Sequence, residues 1–397
     1  MLNIKELKKY YNGKKVLITG HTGFKGSYLC VLLKYLGAKV YGYSLKPEKR
    51  SLYELLTVGA YEVRPHDSLG ANTNALLIDD EVFADIRDEK KLTTFIKKVK
   101  PNYIIHMAAQ PLVLEGYENP KYTYDVNVMG TVTLMEAIRK YADSIKTKKD
   151  CNFPISILNV TTDKVYKNDD KSNYAFKEGD KLCGRDPYSN SKSCSELVTY
   201  TYDKSFFQDK NIFRISTARA GNVIGGGDLN ENRIIPDCYR SIKNKKQMQI
   251  RNPHSIRPYQ FVLEPLILYL NILAMQFKNK KYEGNYNIGP DRKNCLQTLV
   301  LTKKFFLAWN NIVGANNKFA KTNDKSVGNI AYETTNPAPH EANFLRLDNK
   351  QIKKTFDYKE IFNIDDTMKY TAKVYYDMLQ KKNIYESIIS IINNHEN

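Results

Sequence analysis

The chain has 397 residues, 42% hydrophobic and 26% charged, and its 61 Lys and Arg against 43 Asp and Glu leave a formal net charge of +18. That size and apolar content exclude a disordered tail or a disulfide-stapled miniprotein and provide for a large core, in one big domain or two smaller ones. The charge admits nucleic acid or a phosphorylated small molecule. The lysines are spread along the chain, with no dense basic block interleaved with aromatics, so most of the charge reads as solvated surface and no nucleic-acid partner is expected. Six cysteines (Cys30, Cys151, Cys183, Cys194, Cys238, Cys295) form no C-x-x-C pair and read as reduced thiols of a cytoplasmic protein. No basic-then-apolar signal segment is read at the start. The most apolar stretch, Phe261–Phe277, contains Glu264, Pro265 and Asn271, so it reads as a buried helix and no membrane partner is expected.

Lys14–Thr19 is a short β-rich run, followed by Gly20-His-Thr22-Gly23-Phe24-Lys25-Gly26 and a helix over Ser27–Leu36. Glycines at G-x-x-G-x-x-G spacing between a strand and a helix permit a tight turn. They let the backbone approach a pyrophosphate at the positive helix terminus. A second strand, Ala38–Ser44, completes the unit. The acid that usually ends it and binds the adenosine ribose is absent, replaced by Ser44-Leu45-Lys46. Ser44 can bond the ribose, and Lys46 or Arg50 could instead favour a 2′-phosphate, so this turn leaves NAD and NADP both open. Asp85 and Ile86 close another short strand, placed to flank an adenine, with Lys90–Lys98 as its helix. A polar insertion around His66–Asp80 precedes them.

Pro101–Gln110 reads as a strand running into a small-residue turn, where Ala108 and Ala109 permit close approach to the cofactor and Gln110 faces nicotinamide or sugar. Tyr124–Tyr141 reads as an amphipathic helix whose Asn127 braces the catalytic strand. His106 reads as a packed core histidine, and Tyr141–Asn152 as a surface loop. Ile155–Tyr166 is a buried strand ending in polar residues that include Thr162. Tyr188 and Lys192 follow, four apart and on one face of a helix. An ammonium near a phenol favours the phenolate, so Tyr188 can accept a proton near neutral pH while Thr162 bonds the same substrate oxygen. Thr217–Asp228 is a strand running into a flexible Gly-Gly-Gly-Asp loop. Arg233 and Arg257 carry guanidinium forks suited to phosphate, Ile234 reads as lying under the base and ribose, and Glu283–Pro290 as a strand and turn near the nucleotide.

These motifs resemble the extended short-chain dehydrogenase/reductase family and, within it, the CDP-glucose 4,6-dehydratases. The matching stretches are Thr19–Ser27, His106–Val113, Asn127–Thr131, Thr162-Asp163-Lys164, Asp186–Lys192, Ala218–Asp228, Arg251–Pro253 and Ile256–Pro258, within roughly residues 10–310. The resemblance implies bound NAD and a CDP-linked sugar for deoxysugar synthesis. Tyr188 takes the C4 hydroxyl proton as hydride leaves C4, Asp163 is the acid for the C6 hydroxyl, Lys164 is the C5 base, and hydride returns to C6. It also implies that Asn222 meets the diphosphate and that the enzyme is a homodimer or homotetramer.

The expected architecture is α/β: a Rossmann-type doubly wound parallel sheet over 1–220, with a return segment near 255–280, and a smaller substrate-binding domain mainly over 221–397. No metal site is expected. Three positions depart from the family pattern near the expected sugar pocket. Leu114-Glu115 stands where Arg is usual, Leu229 where Trp is usual, and Tyr259-Gln260-Phe261 where Trp-Gln-His is usual. They leave the sugar open, a heptose included, and also the nucleotide. A C4 epimerase or reductase on the same scaffold remains as an alternative, with a non-catalytic dinucleotide sensor further off.

Overall fold

The computed structural model describes residues 1–58, 77–145, 154–169, 174–209, 211–316, 330–332 and 344–396. Most of the insertion around His66–Asp80 and of the loop Tyr141–Asn152 therefore lies outside the described residues.

Twelve strands are described: β1 Lys15–Thr19, β2 Lys39–Ser44, β3 Asp80–Phe83, β4 Tyr103–His106, β5 Ile155–Thr162, β6 Phe213–Ala220, β7 Asn222–Ile224, β8 Met248–Ile250, β9 Ile256–Phe261, β10 Asn285–Ile288, β11 Cys295–Gln297 and β12 Ile330–Tyr332. Seven form one sheet in the order β10-β6-β5-β4-β1-β2-β3, with every neighbouring pair parallel. This is the expected Rossmann-type doubly wound sheet. Helices cover both faces of such a sheet, which is why its strands are near-continuous apolar runs and why all eight residues of β5 are buried.

One face packs against the helices Phe24–Tyr35, Leu263–Lys278 and Ile384–Asn393, through Leu29, Leu266 and Ile388. The other packs against Glu89–Val99 and Gly130–Asp143, through Phe95 and Leu134. The helix Leu263–Lys278 is buried on nearly all sides, as an apolar stretch of that length requires. Its Glu264 is also buried, and accepts hydrogen bonds from the Tyr358 hydroxyl (2.7 Å) and the Phe362 amide (2.9 Å). That carboxylate ties the C-terminal part of the chain to the sheet layer.

Strand order reverses between β1 and β4, and ligands of doubly wound sheets bind outside the carboxyl ends of the strands at such a point. Above those ends lie the sheet β11-β9-β7, the pair β12-β8 and the helices Ile234–Asn244, Thr298–Asn316 and Ile364–Leu379. Apart from β12, these elements share a separate apolar cluster containing Tyr239, Phe305, Trp309 and Tyr375. The segment Glu283–Pro290 does not join this layer. Its strand β10 is the outer strand of the main sheet, because Tyr286 and Ile288 bury there. The single helix expected over Tyr124–Tyr141 is in fact Pro120–Tyr124, a π-helical turn Asp125–Met129, and Gly130–Asp143. Asn127 lies in the π turn, a local distortion often found at functional sites. It donates to Ser191 Oγ (2.9 Å) and to the Gln110 carbonyl (3.1 Å), so it braces the catalytic helix and not the catalytic strand.

Behind the strand ends lies a buried ion pair that the sequence reading missed. Arg219 on β6 donates from Nε to Glu196 Oε1 (2.7 Å), and both side chains are 2% exposed. Thr161 on β5 also donates to Glu196, and Arg219 donates to the Tyr166 hydroxyl (2.6 Å). Replacing one member strands the other charge in a dry interior. Arg219→Met is expected to lower unfolding free energy by about 3–5 kcal/mol in urea titration, with most of the loss recovered in the Arg219→Met, Glu196→Met double variant.

Candidate active site

Four separated segments meet at the carboxyl ends of the strands, around a cavity of about 610 Å³. Phe24 and Lys25 from the glycine turn, Thr162, Asp163 and Lys164 from the end of β5, Tyr188 from the helix Pro187–Ser205, and Asn222, Arg233, Ile234 and Arg257 from the upper layer all line it.

The turn is built on close backbone contact. Gly20 has φ +78°, and a Cβ there would lie 2.8 Å from the Ala108 nitrogen. A Cβ on Gly26 would lie 2.3 Å from the Gly20 carbonyl oxygen, so the helix can begin at Phe24, directly against the loop. Gly23 is the N-cap and is exposed, leaving the helix terminus open to an anion. Ala108 and Ala109 sit beside it just past β4, and the Ala108 amide is anchored on Thr19 Oγ1 (3.2 Å). Thr22 Oγ1 lies 2.8 Å from Ser44 Oγ, so the two hydroxyls at the end of β2 hold each other. Lys46 and Arg50 are exposed.

Asp85, Ile86 and Gln110 lie outside the residues that line this cavity. Asp85 holds Arg87 in a two-pronged pair (2.9 and 2.7 Å), and Ile86 is buried against Gly130 in the core below. Gln110 does not line the cavity: its side chain donates to Thr123 Oγ1 (2.8 Å) and accepts from the Leu112 amide. Burial forces that amide group to pair locally. His106 is a core histidine as expected, 2.7 Å from Thr19 Oγ1, with burial and then Lys192 pulling its pKa down to about 3.

Thr162 Oγ1 donates to Asp163 Oδ1 (3.0 Å), and Thr162 lies close enough to Tyr188 to favour the phenol's anion. Asp163 is buried, and its Oδ2 has no hydrogen-bond partner. Burial pushes its pKa up to about 6, against the opposing pull of Lys164, Thr162 and Arg257. Lys192 donates to the Val160 carbonyl (3.2 Å), and burial lowers its amine to about 8 while Glu196 opposes the fall. Lys25 falls further, to about 7, through burial and then the nearby cations Lys192 and Arg233. Tyr188 is pushed up to about 12 by burial, although Thr162 and Arg233 favour its anion. The near-neutral phenolate expected from the Tyr-x-x-x-Lys spacing is therefore absent from the free protein, because burial outweighs the neighbouring charge.

Arg233 is paired to Asp228 of the Gly-Gly-Gly-Asp loop (3.0 Å), and Arg257 is buried beside Asp163. Of the departures from the family pattern, Leu114, Glu115 and Tyr259 line the cavity, whereas Leu229 and Phe261 pack into apolar clusters. Phe261 packs in tilted ring contacts against Phe362 and Tyr370, so it belongs to the core and does not line the cavity. Among the described residues there is no group of three or more metal-ligating side chains, and no helix is long and apolar enough to cross a membrane.

Asp163 binds its proton more tightly in the fold than in the unfolded chain. Its ionisation therefore costs stability as pH rises through about 6 and costs nothing below the unfolded value near 4. Asp163→Asn is expected to be more stable than wild type by about 2–3 kcal/mol in mildly alkaline buffer, with the difference vanishing below about pH 4 in denaturant titrations.

The family model described as GDP-mannose 4,6 dehydratase matches residues 17–371. The chain is 36% identical over 367 residues to the CDP-glucose 4,6-dehydratase of Salmonella typhimurium, covering 91% of this chain and 90% of that protein. Among solved structures, the dTDP-glucose 4,6-dehydratase of Bacillus anthracis in complex with NAD superposes with a TM-score of 0.67 at 19% identity, over 94% of this chain and 100% of the other. The UDP-glucose 4-epimerase of Stenotrophomonas maltophila with bound NAD gives 0.69 at 18% identity, over 93% and 99%. At those identities the likeness is one of fold, and the fold serves dehydratase and epimerase alike. Taken with the family match along most of its length, the fold places this chain in the GDP-mannose 4,6-dehydratase family, a family of nucleotide-sugar 4,6-dehydratases.

Proposed function

We propose that this protein is an NAD-dependent 4,6-dehydratase that converts CDP-glucose to CDP-4-keto-6-deoxyglucose. The observation that carries the reading is Asp163. A carboxyl buried at the strand end, able to hold a proton near neutral pH, adjoins Thr162, Lys164 and Tyr188 in one cavity. Oxidation at C4 alone, as in an epimerase, needs Tyr188, Thr162 and Lys192 but no acid for a leaving hydroxyl.

The glycine turn fits a dinucleotide: its backbone is open at Gly23 and closed against Ala108, as pyrophosphate approach requires. When bound, NAD⁺ supplies the hydride acceptor for C4 and the hydride donor for C6. The choice of NAD over NADP is supported by the NAD found in solved proteins of this fold and by the exposure of Lys46 and Arg50. In this reading Thr162 and Tyr188 hold the C4 oxygen, and Tyr188 takes its proton. Burial holds the phenol up, while Thr162 and Arg233 favour its anion, and positive charge brought into the cavity with a bound oxidised dinucleotide would favour proton loss further. Lys164 removes the C5 proton acidified by the new C4 ketone, Asp163 protonates the departing C6 hydroxyl, which leaves as water, and on hydride return to C6 the protonated Lys164 would give its proton back to C5.

Asn222, Arg233 and Arg257 take the diphosphate and Ile234 the nucleoside, with cytidine favoured by the 36% identical relative. The division into a cofactor unit over 1–220 and a substrate unit mainly over 221–397, assembly as a homodimer or homotetramer, and a cytoplasmic location belong to the same reading.

Incubating purified protein with CDP-glucose and a panel of other nucleotide sugars, without added cofactor, is expected to give loss of one water by mass spectrometry from CDP-glucose, with no net NADH. Loss from a different sugar in the panel would move the substrate, and a C4 epimer with its C6 hydroxyl intact would replace the dehydratase reading by the epimerase one. Tyr188→Phe is expected to lower turnover at least about a hundredfold with dinucleotide binding retained, and Asp163→Asn to slow water loss by about 10²–10⁴-fold while C4 oxidation continues.

A further inference from the structure

Lys25 is the one lysine of the glycine turn. A dinucleotide turn works through its backbone amides and the helix terminus, so it needs no side-chain charge at this position. Yet Lys25, on the first turn of the helix Phe24–Tyr35, lines the cavity shared with Tyr188 and Asp163. Its ammonium stands 5.8 Å from the centre of the Tyr269 ring on the helix Leu263–Lys278. The charged groups facing it come from three further elements: Lys192 on the catalytic helix, Arg233 before the helix Ile234–Asn244, and Asp163 after β5. Two of these neighbours are cations and one is the buried Asp163 carboxyl, while Arg233 is itself paired to Asp228, and none of the steps described above uses Lys25.

The hydride leaves the carbon whose hydroxyl proton goes to Tyr188, so its acceptor must enter this same cavity. An oxidised nicotinamide is a cation, and the reduced ring is neutral. We propose that Lys25 is a charge-setting residue that biases the site toward the reduced cofactor, its ammonium disfavouring the cationic oxidised ring and leaving the neutral reduced ring undisturbed. The bias favours oxidation at C4 and keeps the reducing equivalent in the protein while water leaves. The pyrophosphate is common to both redox forms, so its attraction to the ammonium cancels in their ratio. A single charge acting over several ångströms in a partly dry site is enough to change that ratio by about tenfold. Burial and the neighbouring cations hold the amine near 7, so the bias is present at lower pH and fades as pH rises through that value.

The inference rests on the nicotinamide part of the proposed function and is independent of the sugar. The test is the dissociation constants of NAD⁺ and NADH for the full-length protein, from fluorescence titration at about pH 6 and about pH 8.5, for wild type, Lys25→Met and Lys25→Arg. Wild type is expected to prefer NADH more strongly at the lower pH. Lys25→Met should lose about tenfold of that preference there. Lys25→Arg, always charged, should keep the preference at both pH values. An unchanged ratio in Lys25→Met overturns the proposal, and any pH dependence left in that variant then belongs to Asp163 and Lys192. An equal weakening of both dinucleotides also overturns it, since that is the mark of a purely structural role. A wild type that binds neither dinucleotide sinks the cofactor reading and this inference together. A ratio that moves as expected, in a protein that dehydrates no sugar in the panel, leaves Lys25 standing and removes only the proposed substrate.

Discussion

A carboxylate and a guanidinium, both almost wholly shielded from water, sit directly behind the reacting groups. Taking two charges out of water is tolerable only when every remaining donor and acceptor is matched. Glu196 and Arg219 meet that condition with help from Thr161, Thr217, Tyr166 and the Glu178 carbonyl. These partners belong to β5, β6, the catalytic helix and the segment that follows Lys164. Only one relative placement of those elements satisfies them all. Thr161 precedes Thr162, and Glu196 lies one turn beyond Lys192, so the same constraint that orders the interior also aligns the hydroxyls and the amine at the cavity.

Burial then sets the chemistry. The same loss of water that raises the Asp163 carboxyl lowers the amines of Lys25 and Lys192 and raises the Tyr188 phenol, because in each case the charged form is disfavoured. Acid and amines are brought toward neutrality from opposite sides. A site so arranged can trade protons near physiological pH, which is the common mark of general acid–base catalysis. Glu196 restrains the fall of Lys192, so the buried ion pair and Lys192 are electrostatically joined.

The layer above the strand ends gives the cavity its other wall without contributing to the hydride-side groups. Its apolar cluster is separate from the two clusters that pack the sheet. Leu114, Glu115 and Tyr259 face the cavity from different parts of the chain. Leu229 and Phe261, which stand out equally in the sequence, belong to packing.

Local signals carried much of this into the linear chain. The glycine turn needs tight backbone contact, the parallel strands need apolar runs, and Tyr188 and Lys192 need helical spacing, so the Rossmann-type sheet and the Thr162-Asp163-Lys164 and Tyr188–Lys192 groups were legible before any coordinates. Contacts between distant segments were not. The pairing of Gln110 with Thr123, the placing of β10 at the sheet edge, the Arg219–Glu196 pair and the position of Lys25 among Lys192, Arg233 and Asp163 all depend on which side chains the tertiary fold removes from water together. Residue types and their spacing determine which groups are available for chemistry. Desolvation and the charges gathered around each group determine its protonation, and those exist only once the chain has folded.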